Sequence, residues 1–361
     1  MGSNVGKGTV SRRKLRPLLA LAALLVALPV AACGGDESEP SSTPAGGSSA
    51  ATSGWDGVVE AAKKEGSVTI LSSQGLDQLN AMAAKFTDKY GIKVNVVRAV
   101  DGENLTRLTA EHDTNKPTAD MWVVASEPMI NDAVSKGWPT KPTGPEFSGG
   151  AYDTSLYMRP GDVFEVGAAI LGFGWNTKLF PKGLQDEQGL LDPSLKGGKI
   201  GVLEPTAPVI VDQYLYLESK FGEDFIKQLG AQKPRIYPST LPTQQALASG
   251  EIAAAPMTNP SIVDLKSQGA PIEFKLPDSP WAARYIGMVL KQAPNPNAAQ
   301  LLADYMITPE GQAEVNKGYA AVLEDVPGAL ATNESVRKMN EDDLTPDKVK
   351  AFQDKWNEWY R

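Results

Sequence analysis

The 361-residue chain contains one cysteine, Cys33, and one histidine, His112. That inventory removes most covalent and metal chemistry. A Ser-His-Asp triad needs a histidine beside its nucleophile, but His112 falls in a polar helical stretch and reads as a surface residue. Structural and catalytic zinc sites draw on several His or Cys ligands. No G-x-S-x-G elbow, H-E-x-x-H pair or G-x-x-x-x-G-K-[ST] phosphate loop occurs. Gly172, Phe173 and Gly174 make only a fragment of a dinucleotide motif. Carboxylates are plentiful, yet no spacing nominates a glycosidase pair. What remains is non-covalent: hydroxyls, amides and arginines able to hold a solute by hydrogen bonds and charge. The expectation is no catalysis, no metal and no cofactor.

Cys33 has a different use. Arg12, Arg13, Lys14 and Arg16 precede an apolar run over 18–32, which ends in Val30, Ala31 and Ala32 directly before the cysteine. A charged segment, an apolar segment and small residues at a cleavage point make a secretory signal. Cys at the first position after the small pair resembles the lipobox of bacterial lipoproteins. The resemblance implies a diacylglycerol thioether on Cys33 and removal of residues 1–32. Two acyl chains anchor stably, whereas the apolar run is short of the roughly 20 residues a bilayer span requires. Export is by the Sec route, or by the twin-arginine route that Arg12 and Arg13 resemble.

Removing residues 1–32 takes away five cations and no anion, and moves the formal charge from −8 to −13. An acidic surface argues against nucleic-acid partners. With Cys33 lipidated no thiol is left for a disulfide. Residues 33–53 then hold the lipidated cysteine and a Gly, Ser, Pro and Ala tether, too poor in large apolar groups to fold and reaching roughly 25 Å.

From Trp55 onward strands and helices alternate. Helices are expected over 56–65, 76–90, 102–112 and 128–136, and strands over 68–71, 92–97 and 121–124. Apolar Leu76, Leu79, Met82, Ala83 and Phe86 share a helical face. The long apolar stretch 167–175 suits a strand crossing between lobes. A second set follows, with strands over 199–203, 231–237, 252–255 and 272–276 and helices over 209–221, 243–248 and 262–268. A returning strand over 284–290, helices over 295–306 and 309–316, and a terminal helix over 346–360 complete it. Val349, Phe352, Trp356 and Trp359 lie on one face of that last helix, a face for docking onto the body. Repeated strand-helix-strand units imply mostly parallel sheets covered on both faces.

Several segments in order resemble bacterial ABC-transporter extracellular solute-binding proteins, family 1, ferric-iron-type branch. They are 65–73 (EGSVTILSS), 86–94 (FTDKYGIKV), 119–122 (ADMW), 174–178 (GWNTK), 191–200 (LDPSLKGGKI), 245–251 (QALASGE), 296–299 (PNAA) and 308–312 (TPEGQ). The resemblance covers about 54–325. It implies an α/β periplasmic-binding-protein-like type II fold of two lobes, each a mostly parallel sheet flanked by helices, with a ligand cleft between them. The first lobe would comprise 54–170 plus 286–361 and the second 171–285. The implied partners are a small solute and a membrane permease, the protein being a monomer that touches the membrane through its lipid alone. The chain departs from the branch at the metal: 250–260 (GEIAAAPMTNP) lacks the adjacent tyrosines of iron-binding members, and Ser72, Ser73 and Gln74 stand where a His is common. Ferric binding is thus the alternative, and an extracellular hydrolase on the same scaffold a second one.

In open α/β sheets ligands bind beyond the carboxyl ends of strands. That rule nominates Ser72, Ser73, Gln74, Arg98 and Ser126 in the first lobe. In the second it nominates Thr206, Tyr237, Ser239, Thr240, Thr258 and Asn259. Asn176 closes the crossover strand. Arg98 or Arg284 suits a carboxylate or phosphonate, and Trp281 and Tyr285 suit stacking on an organic body. The expected solute is small and anionic or chelated.

Overall fold

The computed structural model describes residues 54–361 apart from Pro260 and Lys338. The leader, Cys33 and the tether lie outside the described residues.

Left-handed glycines set the first boundaries. α1 (Trp55–Glu65) stops at Gly66 and α2 (Leu76–Tyr90) at Gly91, with φ of 73° and 71°, a region that side chains avoid. β1 (Ser67–Ser72) lies between them, and β2 (Lys93–Arg98), α3 (Asp101–Thr114), β3 (Met121–Val124) and α4 (Glu127–Ser135) follow. Short pieces come next: β4 (Pro139–Thr140), α5 (Thr154–Tyr157) and β5 (Met158–Arg159). β6 (Val163–Asn176) is a 14-residue strand, buried along nearly all its length. β7 (Gly201–Leu203), α6 (Pro208–Phe221), α7 (Glu223–Ala231), β8 (Arg235–Tyr237), α8 (Thr240–Ser249), β9 (Ala254–Thr258), α9 (Ile262–Ser267) and β10 (Ile272–Lys275) build the middle of the chain. β11 (Trp281–Leu290) returns, followed by α10 (Pro296–Met306), α11 (Pro309–Val315), β12 (Ala320–Ala321), β13 (Ala331–Thr332) and α12 (Pro346–Tyr360).

The first lobe's sheet runs β2-β1-β3-β11-β6, with β12 and β13 beyond β6. β1 is parallel to β2 and β3, and β11 antiparallel to β3 and β6. The carboxyl-terminal half of β6 then pairs antiparallel with β9 and β10. A parallel bridge from Ile200 to Ala254 carries the pairing on to the parallel strands β7 and β8. The second lobe thus reads β8-β7-β9-β6-β10, the first lobe's pattern of a central strand flanked by parallel neighbours and then an antiparallel one. β6 and β11 serve both lobes, so the long apolar stretch is the crossover that its sequence suggests.

Two main cores match the two lobes. Val68, Ile70, Met82, Phe86, Val289 and Leu302 fill the first; Phe173, Val202, Tyr214, Leu217 and Ile226 fill the second. α12 buries Val349, Phe352 and Trp356 in the second core, against α6 and α7. The apolar face of α12 docks onto the body as expected. Its position corrects the boundary drawn above, because 346–360 packs with the second lobe, not the first. The aromatic partners explain the choice: Trp356 stacks on Tyr360 at 4.5 Å and meets Tyr214 edge-on. Burying such side chains contributes about 1.5–3 kcal/mol each. The link running back to α12 is pinned at both ends. Asn333 donates to Glu165 Oε2 (3.0 Å) and Arg337 to Asp212 Oδ1 (3.0 Å).

Two smaller expectations change. Leu76 is half exposed, since it opens α2 at the strand ends instead of joining the inward stripe. His112 stacks flat on Trp138 with ring centroids 4.4 Å apart; it is half-buried, and burial lowers its pKa.

Candidate functional site

The turn after β1 is built on its own hydroxyl. Ser72 is fully buried and its Oγ accepts the Gln74 N–H at 3.1 Å. Gln74 is also fully buried, and its carbonyl accepts from Arg98 Nε at 3.4 Å across the β1–β2 pair. The Arg98 side chain otherwise extends into the open at the end of β2. The Gln74 amide Nε2 has no partner.

Asp101 opens α3 beside this turn. Its Oδ2 accepts the Ala125 N–H from the end of β3 at 3.1 Å, so one carboxylate ties two strand ends together. Burial raises its pKa, opposed by the Ser73 hydroxyl, the Ala125 and Ser126 N–H groups and the Arg98 charge. The Ser73 hydroxyl is near enough to act on the carboxylate, yet Ser73 Oγ and Asp101 Oδ1 form no well-aligned hydrogen bond. Both atoms are buried.

Two tyrosines complete this side. Tyr285 on β11 and Tyr319 just before β12 are almost buried, with ring centroids 6.2 Å apart. Burial drives the Tyr285 pKa far above its usual value, and Tyr319 and Asp101 add to the rise. Tyr319 is raised by burial too, with the Asn259 side chain, Arg98 and the Gly75 N–H pulling it down. Asn259 follows β9 in the second lobe and shares a cavity lining with Tyr319 of the first. That cavity has a volume of about 290 Å³. Asp77, Gln78, Glu314, Lys317 and Tyr319 line it from the first lobe, and Asn259, Ser261 and Asp264 from the second.

The structure therefore brings Ser72, Ser73, Gln74, Arg98, Asn259 and Tyr285 to one place. Ser126 is half-buried at the start of α4, near Asp101. Thr206 and Ser239 are exposed at their strand ends, and Thr240 is half-buried in the first turn of α8. The others are turned to the fold. Asn176 donates to the Leu247 carbonyl (2.9 Å) and accepts the Lys178 and Leu179 N–H groups, which uses its whole amide on a turn. Thr258 is buried, facing the Ala255 carbonyl. Tyr237 donates to Glu251 at 3.0 Å; burial and that carboxylate push its pKa up to about 12. Trp281 donates its indole N–H to buried Asp212 at 2.6 Å and packs in the second core. Arg284 lies between Glu165 (2.6 Å) and the Asn333 carbonyl (2.7 Å) and is a structural cation.

Asp101 and Tyr319 escape sequence reading. An acid in a first helical turn looks like a response to the helix dipole. Tyr319 precedes a two-residue strand too short to announce itself. Asp77, Asp264 and Glu314 line the cavity together with Lys317.

Two α/β lobes sharing crossover strands beside a cavity lined from both define a binding protein. Residues 68–318 match the family model of bacterial extracellular solute-binding proteins, and the chain belongs to that family. No curated protein matches the sequence. Among solved structures it is similar to the substrate-binding protein of an ABC transporter from Agrobacterium tumefaciens, with a TM-score of 0.67 at 17% identity, covering 82% of this chain and 94% of that one. It is similar to iron-bound HitA from Pseudomonas aeruginosa, with a TM-score of 0.63 at 20% identity, covering 80% and 99%. It also resembles AfuA from Actinobacillus pleuropneumoniae with fructose-6-phosphate bound, with a TM-score of 0.58 at 22% identity, covering 81% and 98%. At these identities the likeness establishes the fold. Among the described residues no helix is long and apolar enough to cross a membrane.

Proposed function

We propose that this protein is the solute-binding component of an ABC importer, held outside the cell by a diacylglycerol on Cys33. It captures a small polar solute between its lobes and, once closed, docks on a membrane permease as a monomer. The observation that carries this reading is the cavity walled by Tyr319 and Gln78 from one lobe and by Asn259 and Ser261 from the other. Burying a solute there couples occupancy to lobe closure about β6 and β11. The protein performs no chemical step, so the solute leaves unchanged. The likeness to an ABC-transporter substrate-binding protein and to iron-bound HitA supports the transport role.

Replacing Asn259 by Trp fills the cavity from the second lobe. Native mass spectrometry of the full chain, incubated with small polar solutes, should show one bound class that N259W loses while its thermal melt stays near wild type. Equal occupancy in N259W would move the site elsewhere. A chemically altered solute after long incubation would favour the hydrolase, and retention of ferric ion alone would favour the iron reading.

A further inference from the structure

We infer that a second cavity, behind the crossover strands, works against the solute cavity as a lever. The lobes close over the front cavity only as the rear one opens, so whatever fills the rear favours the closed form. The inference rests on the front cavity being the cleft that closes. Two neighbouring side chains on β11 set the geometry. Tyr285 meets Tyr319, which lines the front cavity. Arg284 and Ala282 project from the other face of the same strand and line a cavity of about 210 Å³. The two cavities therefore lie on opposite faces of the β6–β11 pair.

The rear cavity, like the front one, has walls that belong to different lobes. Glu165 and Arg284 form its floor on the crossover strands. Leu156 of α5 and Arg159 of β5 make one wall, held to the first lobe by the ion pair of Arg159 with Glu127 on α4. Met339 makes the other, and it travels with the second lobe. Two residues before it, Arg337 donates to Asp212 of α6 at 3.0 Å, and its backbone N–H donates to the Pro280 carbonyl at 3.1 Å. Just after it, the turn Glu341–Leu344 packs on α6 and α12. Asn333 is tied to Glu165, so the link changes lobe between 333 and 337. A rotation about β6 and β11 that brings Asn259 toward Gln78 and Tyr319 must carry Met339 away from Leu156, because one hinge cannot shut on both faces. Leu156 and Met339 offer apolar side chains to this gap, which part and meet again without breaking a strong hydrogen bond. Their meeting sets how far the front can open.

Small-angle scattering and hydrogen exchange of the full chain, both without solute, test the lever. Leu156→Trp/Met339→Trp overfills the rear cavity. It should give a smaller radius of gyration than wild type, and the front-wall amides of 76–81 and 261–264 should exchange more slowly. Leu156→Ala/Met339→Ala empties the rear and should move both readings the opposite way. This second pair decides the matter alone if the tryptophan pair does not fold. Profiles and exchange equal to wild type, or a shift of the same sign in both pairs, would overturn the lever. Compaction without slower exchange at the front walls would overturn the opposition of the two cavities. Compaction by the tryptophan pair, together with undiminished solute occupancy in Asn259→Trp, would uphold the lever and move the solute site off the front cavity.

Discussion

Arg284 and Tyr285 are neighbours on one crossover strand, and both types could hold a solute. The pleat sends them to opposite faces of the sheet. Tyr285 meets Tyr319 on the cavity side. Arg284 enters a chain of charges behind the strand: Glu127 to Arg159, Arg159 to Glu165, Glu165 to Arg284. Behind the strand these charges pair with one another, although Arg284 Nε and Asn333 Oδ1 keep no partner there; on the other face Ser73 Oγ, Gln74 Nε2 and Asp101 Oδ1 have none either. Glu127, Arg159, Glu165 and Arg284 also line a cavity, of about 210 Å³; what sets them apart is that each carries a charged partner.

The largest effect should come from breaking the rear chain. Glu165 bridges two arginines and is almost wholly buried, and Asn333 of the third crossing segment also donates to it. Glu165→Ala leaves Arg284 without a counter-ion. Removing one partner of a buried pair costs about 3–5 kcal/mol, to be read as a lowered urea midpoint, with the solute affinity of the folded fraction unchanged. A loss below about 1 kcal/mol would mean that the two faces do not differ as claimed.

A smaller, pH-dependent effect sharpens the same contrast. Asp304 on α10 is a largely buried carboxylate that accepts the Glu146 N–H at 2.9 Å. Burial raises its pKa to about 6, with the Glu146 charge adding to the rise. A raised folded pKa means the native state binds the proton more tightly than the unfolded one. The stabilisation is complete below about pH 4, where the unfolded carboxyl titrates, and is lost as pH rises through about 6. Asp304→Asn keeps an acceptor for the Glu146 N–H without the charge. It should raise the melting temperature relative to wild type at pH 7.5 and match it at pH 4. An equal shift at both pH values would remove titration from the account.

Most of the fold is legible in the sequence because periodicity and glycine stops are local. The helix expected over 76–90 matches α2, and 346–360 matches α12. α7 is absent from the sequence reading; it is nine residues long and only Gly222 divides it from α6. The lobe to which α12 belongs depends on which aromatics it meets, a tertiary choice that Tyr214 decides. The site is legible only in part. Strand ends nominate Ser73, Gln74, Arg98 and Asn259, of which Asn259 lines the cavity, but the rule says nothing about whether a side chain is already committed. Asn176 and Trp281 have the right chemistry and spend it on Leu247, Lys178, Leu179 and Asp212. Tyr319 reaches the site from a segment some thirty residues beyond β11, a proximity visible only once β12 pairs with β6.

The smallest expected effect falls on the cavity side of the strand. Tyr285→Phe keeps the ring against Tyr319 and removes one hydroxyl. Burial holds that phenol neutral far above its usual pKa, so it acts as a neutral donor throughout the physiological range. A neutral hydrogen bond is worth about 0.5–1.5 kcal/mol, or roughly a two- to tenfold loss of solute affinity. Fold stability should move by no more than about 0.5 kcal/mol, and the affinity ratio of variant to wild type should be flat between pH 6 and 9. Loss of stability without loss of affinity would place Tyr285 with Arg284 among the groups that hold the hinge. The two faces of β11 would then differ in polarity but not in purpose.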